Sequence, residues 1–297
     1  MSKVRGGTLM NTLAVGVVLP SLTTQRDQGL NLYSAARHAE SVGLASVWHG
    51  DHLAIGSPVL DITVGLATAA AATQTIAIGA GVFIPALRPL ARAAQQIASL
   101  QLVSDGRLIL GVGSGGGPAQ WAAAGIPYAE RGPRTDRAVD LLPGLLAGEH
   151  MWLDGHRIAL SPAVPKPPIW IGNASDVALR RAARAGDGWF PSLVTPAAVA
   201  AGVTRLRELA DGPRVVAIGA TGAIGKGVRS QQEIERSINA TYGFSAAGVP
   251  ISGSPAEVAT RLAEFHQAGA HHLVLGFSDG DWRQQCDLLA ASHALLT

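Results

Sequence analysis

The chain predicts a closed parallel (β/α)8 barrel, and three observations carry that prediction. Short apolar runs of strand length alternate with helical segments along its whole length. Eight such runs can be placed, enough to close a barrel. A length of 297 residues is one at which an α/β barrel folds as a single domain, here residues 1–297.

The strands fall at residues 13–19, 45–48, 76–82, 108–112, 168–171, 188–191, 215–219 and 272–275. Between them the 3.6-residue period predicts helices over 30–42, 59–73, 89–103, 134–147, 176–185, 196–210 and 255–268, with a last helix over 281–296. Ser254 stands as N-cap and Pro255 as first helical residue of the penultimate one. Two segments interrupt the alternation. Residues 113–131 form a long loop on the strand C-terminal side, where barrels place substrate contacts. Residues 148–166 follow a helix and predict a small hairpin covering the barrel.

Composition fits this architecture. Hydrophobic residues make up 47% and charged residues 15%, so the core is built mainly of Ala, Val, Leu and Ile. A net charge of +2, with arginines dispersed among the helices, argues against a nucleic-acid partner. The lone Cys286 admits no internal disulfide and fits a reducing, cytoplasmic compartment; in a Leu-rich helix it reads as a buried structural thiol. The opening MSKVRGGTLMNTL lacks the apolar core of an export signal. Residues 62–87 carry no charge, but Gln74, Pro85 and the Ala, Thr and Gly content divide them into a helix and a buried strand, so a membrane span is not expected.

Polar residues at strand C-terminal ends mark the candidate site. The second strand ends in SVWHGDHL, bringing Trp48, His49, Asp51 and His52 to the barrel mouth. Asp51 and His52 there can position a redox ring or move a proton near neutral pH; otherwise they form a hydrogen-bonded loop with a capping Asp. No further His, Asp or Glu pair announces metal ligands. The third strand ends in GAGVFIPALRP, where Gly81 admits either a flat ring or tight packing. The fourth runs LILGVGSGGGP; Gly111, Gly113 and Gly116 satisfy GxGxxG, but three βα units precede it, so it is not the opening turn of a dinucleotide fold. A loop presenting backbone N–H groups to a phosphate or a ribityl chain fits better. After the fifth strand, Gly172, Asn173, Ala174 and Ser175 make a polar turn before a helix, either a phosphate site or an ordinary cap. No GxSxG elbow supports hydrolase chemistry.

Taken in order, the segments HAESVGLASVWHGDHL, DITVGLATAAAATQTIAIGAGV, PLARAAQQIASLQLVSDGRLILGVGSG, PPIWIGNASDVALRRAARAGDGWF and SPAEVATRLAEFHQAGAHHLVLGF resemble the luciferase-like monooxygenase family, which includes the F420-dependent oxidoreductases. They run from His38 to Phe277. The resemblance implies a flavin or deazaflavin ring at the barrel mouth, with its phosphate near the loops after the fourth and fifth strands. It implies a bulge with a non-proline cis peptide at Gly81–Val82, an active-site pair in Asp51 and His52, and cofactor contacts from Ser114 and Gly115. Deazaflavin sugar-phosphate dehydrogenases have a glutamate proton donor just beyond. Gly116 stands there in this chain, which puts that substrate class in doubt.

The compact length favours coenzyme F420 as cofactor over FMN, and with it hydride transfer to or from a small organic molecule over monooxygenation. Trp48, Trp121 and Trp189 either wall the substrate space or are ordinary packing. A homodimer is implied by the resemblance. A family member that binds the cofactor without turnover is the alternative of another class.

Overall fold

The structure, a computed structural model, describes residues 12–296. Most of the MSKVRGGTLMNTL segment therefore lies outside the described residues. Each of the eight expected strands forms: β1 (Ala14–Val18), β2 (Ser46–His49), β3 (Ala77–Phe83), β4 (Leu108–Val112), β7 (Ile169–Gly172), β8 (Gly188–Phe190), β9 (Val215–Ile224) and β11 (His272–Phe277). They pair in parallel in that order, and β11 returns to β1, closing a (β/α)8 barrel.

Helices alternate with the strands: α2 (Leu32–Ser41), α3 (Ile62–Ala72), α4 (Leu90–Val103), α6 (Arg131–Leu146), α7 (Asp176–Ala185), α8 (Pro196–Leu209), α10 (Pro255–Gln267) and α11 (Trp282–Ala294). The sequence pattern missed four elements. Two are the six-residue α1 (Leu22–Asp27) and α5 (Pro118–Ala123), and two are α9 (Gln231–Tyr242) and β10 (Ile251–Gly253), which extends the far half of β9. The helix α9 buries Ile234 and Ile238 on one face and opens with a Ser230–Glu233 capping box, both legible in the sequence.

The two short strands β5 (Met151–Leu153) and β6 (His156–Ile158) form the expected hairpin. It does not cover the barrel. Arg137 donates to Asp154 at 2.8 Å and Val164 N–H donates to the Leu146 carbonyl, so the segment lies along the outside of α6.

Strand parity decides what faces inward. Val15, Val47, Ile78, Leu110, Ile171, Trp189, Ile218 and Leu273 join the layer beneath the helices. The barrel axis is filled instead by Trp48, Trp170, Phe190, Ala217 and Val274. Three rings fit into eight strands because their inward neighbours are glycines. A Cβ on Gly79 would lie 2.1 Å from Trp48 Cδ2, and one on Gly188 would lie 2.6 Å from Trp170 Cδ1. No helix among the described residues is long and apolar enough to cross a membrane.

Candidate functional site

Above the ring layer, at the strand C-terminal ends, the chain offers small groups. The Gly81–Val82 peptide is cis, and Gly81 is exposed with Trp48 packed below; a Cβ there would lie 3.3 Å from the Trp48 ring. The register between β3 and β4 shifts from Ala80 to Phe83, which is the expected bulge. Val82 turns inward over β4 and β7. Added Cβ atoms on Gly113 and Gly172 would come within 2.5 and 2.9 Å of its methyl groups, so those glycines are small to admit Val82.

The bulge is tied down by Asp51. Its buried carboxylate accepts from Ile84 N–H at 2.9 Å and from both terminal nitrogens of Arg88 at 2.8 and 2.9 Å, while its own N–H donates to the Val82 carbonyl. Arg88 also lies over the Phe83 ring, 4.5 Å from its centre. Three donors thus hold the Asp51 carboxylate, which was expected to take part in catalysis, against the segment after β3. Arg88 is the residue that sequence reasoning passed over. The available signal was position: it is the first charge after the uncharged stretch 62–87.

His52 is exposed and makes no hydrogen bond among the described residues; its ring folds back against Gly50. His49 turns outward instead, packs against Gly65 of α3, and is held below the ordinary imidazole pKa by burial. The pair His52 and Gly81–Val82 is thus brought to one mouth, and His49 is not part of it.

The glycine loop after β4 carries Ser114 and Gly115, both half-buried. Gly115 has φ +68°, and beneath it lie Gln120 Nε2 and Trp121 Nε1; the latter is buried without a hydrogen-bond partner. After β7, Asn173 adopts φ +86°, accepts from Ser175 N–H, and exposes Ala174 and Ser175 before α7. Ser175 caps that helix, and Asp176 in its first turn pairs with Arg180 and Arg205.

None of the three tryptophans walls an open substrate space. Trp48 is 1% exposed and stacks on Trp170 in the barrel axis at 5.6 Å. Trp121 is fully buried with Ile84, Ala86 and Leu87. Trp189 points outward under Gly202 of α8, as its parity opposite Phe190 requires, and donates to the Asn173 carbonyl at 2.9 Å. Cys286 is fully buried, and burial pushes its thiol pKa up. Among the described residues no group of three His, Cys, Asp or Glu side chains could hold a metal ion.

A closed barrel with a bulged third strand and a glycine-lined mouth defines the class, and the sequence comparison agrees with it. The luciferase-like monooxygenase family model matches residues 13–224, and the chain belongs to that family. An F420-dependent hydroxymycolic acid dehydrogenase of Mycobacterium tuberculosis is 33% identical over 193 residues, covering 59% of this chain and 52% of the relative. The chain spans about half the length of the curated relatives it matches. An F420-dependent secondary alcohol dehydrogenase in complex with an F420-acetone adduct superimposes with a TM-score of 0.80 at 18% identity, over 96% of this chain and 99% of that one. The oxygenating constituent of the 3,6-diketocamphane monooxygenase of Pseudomonas putida, in complex with FMN, does so at 0.75 and 17%, over 96% and 99%. At those identities the structures attest the fold alone.

Proposed function

We propose that this protein is an F420-dependent oxidoreductase that moves a hydride between the deazaflavin and a small organic substrate. The observation that carries the reading is the exposed Gly81–Val82 floor, braced by Asp51 and flanked by the unengaged imidazole of His52. The residues present fit a flat redox ring. The floor has no side chain at Gly81, and the left-handed Gly115 and Asn173 leave backbone groups at the mouth for the chain and phosphate attached to the ring.

Bound there, the deazaflavin supplies hydride chemistry with little reactivity toward oxygen. Gly81 and Val82 would support the ring, Ser114 and Gly115 its chain, and residues 172–175 with the N-terminus of α7 its phosphate. His52 would orient the substrate oxygen and take or return its proton at a ring nitrogen. No acidic residue accompanies it at Gly116, so His52 carries the proton alone.

The relative's name favours F420, whereas a neighbour of the same fold holds FMN, so FMN-dependent monooxygenation is the second reading. Titration of the purified protein with each cofactor, followed by fluorescence quenching, decides between them. Micromolar binding of F420 is expected; binding of FMN alone overturns the assignment. Tight F420 binding with no turnover on a broad panel of alcohols and enones supports a cofactor-binding protein instead.

A further inference from the structure

Asp51 is the acid that sequence position nominates for proton transfer, yet its carboxylate is held by three donors of the chain. Its N–H and carboxylate grasp the bulge on both sides, at the Val82 carbonyl and at Ile84 N–H. Both its oxygens meet the fork of Arg88, whose side chain is itself only 18% exposed. The pair is therefore largely desolvated, and a bidentate fork fixes orientation as well as distance. It ties the loop after β2, which carries His52, to the segment after β3, which carries the floor.

From this geometry we infer that Asp51 and Arg88 act as one positioning device: they set the Gly81–Val82 floor and the base of His52 relative to each other, and neither exchanges a proton with substrate. The inference rests on the proposed cofactor site. A pair that works as a unit has a distinctive signature: removing either member loses the whole effect, and removing both loses little more.

The contrast with an acid–base role is clear. A carboxylate that moves protons is lost in D51N with cofactor binding intact, and Arg88 then matters little. A clamp is lost equally in D51N and R88M, and the double variant adds nothing.

The test uses D51N, R88M, the double variant and R88K in the full chain. Cofactor dissociation constants by fluorescence quenching, turnover against pH, and thermal unfolding are measured on each. Either single substitution should weaken binding of the cofactor about tenfold or more, with the double variant within about threefold of the worse single. The pH profile of the residual activity should keep its limbs, and R88K, a cation without the fork, should recover part of the loss.

Loss of turnover in D51N with unchanged affinity and a missing limb would overturn the inference. So would a lowered melting temperature with affinity and turnover intact in all four, which assigns the pair to stability alone. Wild-type protein that binds neither cofactor overturns the functional reading and this inference with it, whereas wild-type binding matched by D51N and R88M overturns the inference only.

Discussion

The two ends of the barrel obey opposite rules. At the N-terminal end the axis is packed solid: Trp48 donates to Ser46 Oγ at 2.6 Å, that hydroxyl meets His272 Nε2 at 2.7 Å, and Trp170 stacks alongside. At the C-terminal end the inward positions are Gly81, Val82 and Gly172, and His52 above them makes no hydrogen bond among the described residues. One end is filled by rings and the other is lined by small groups. The separation of rigid floor from open mouth is the barrel's general division between stability and function. It follows that substitutions at the two ends should affect different measurements.

The largest effect is expected at the closed end. In Gly79→Ala the new methyl would lie 2.1 Å from the Trp48 ring, which has nowhere to go because Trp170 and Phe190 hold its other side. Overpacking should cost about 3 kcal/mol, or prevent folding. A denaturation midpoint equal to wild type would show that the ring layer is looser than drawn. At the open end His52→Ala should do the reverse. The side chain has no hydrogen bond to lose, so stability stays level while turnover falls about a hundredfold or more, as expected for a lost acid–base group. Unchanged turnover removes His52 from the reaction.

This same division explains what the sequence revealed. All eight barrel strands were legible because buried parallel strands are continuous apolar runs, and the order of motifs placed His52 and Gly81–Val82 at the mouth. Parity was the unused signal. With Phe190 facing inward, its neighbour Trp189 must face α8, and the same alternation sends His49 outward and Trp48 into the axis. The Asp51–Arg88 pair was not legible, since its partners stand 37 residues apart and meet only because β2 and β3 are adjacent. Nor could spacing show that Gly113 and Gly172 make room for Val82 instead of standing empty for a ligand.

Next in size is the response to acid at the closed end. Burial pushes the His272 pKa down to about 4 from 6.5, so the ring is neutral and can accept the Ser46 hydroxyl proton. Its folded value lies below its unfolded one. The stability this group contributes is thus complete above pH 6.5 and is lost as the pH falls toward 4, because the unfolded chain binds the proton first. The slope in that window is about 1.4 kcal/mol per pH unit for one group. Urea unfolding at pH 7 and pH 5 should show a steeper loss for wild type than for His272→Gln, and equal slopes would mean that the ring is hydrated.

The smallest effect comes from two glycines of one loop that look alike in sequence. Gly117 is the N-cap of α5 with φ −63°, and nothing lies within 4 Å of an added Cβ, so in Gly117→Ala the gain through the unfolded chain is offset by the poorer cap and stability should stay within about 0.5 kcal/mol of wild type. In Gly113→Ala the methyl would come within 2.5 Å of Val82 Cγ2 and should tilt the side chain beside the floor. Cofactor titration then separates the two: Gly117→Ala keeps wild-type affinity, whereas Gly113→Ala loses it. If both bind alike, Val82 yields without moving the floor, and the open end owes its shape to the Asp51 brace more than to its glycines.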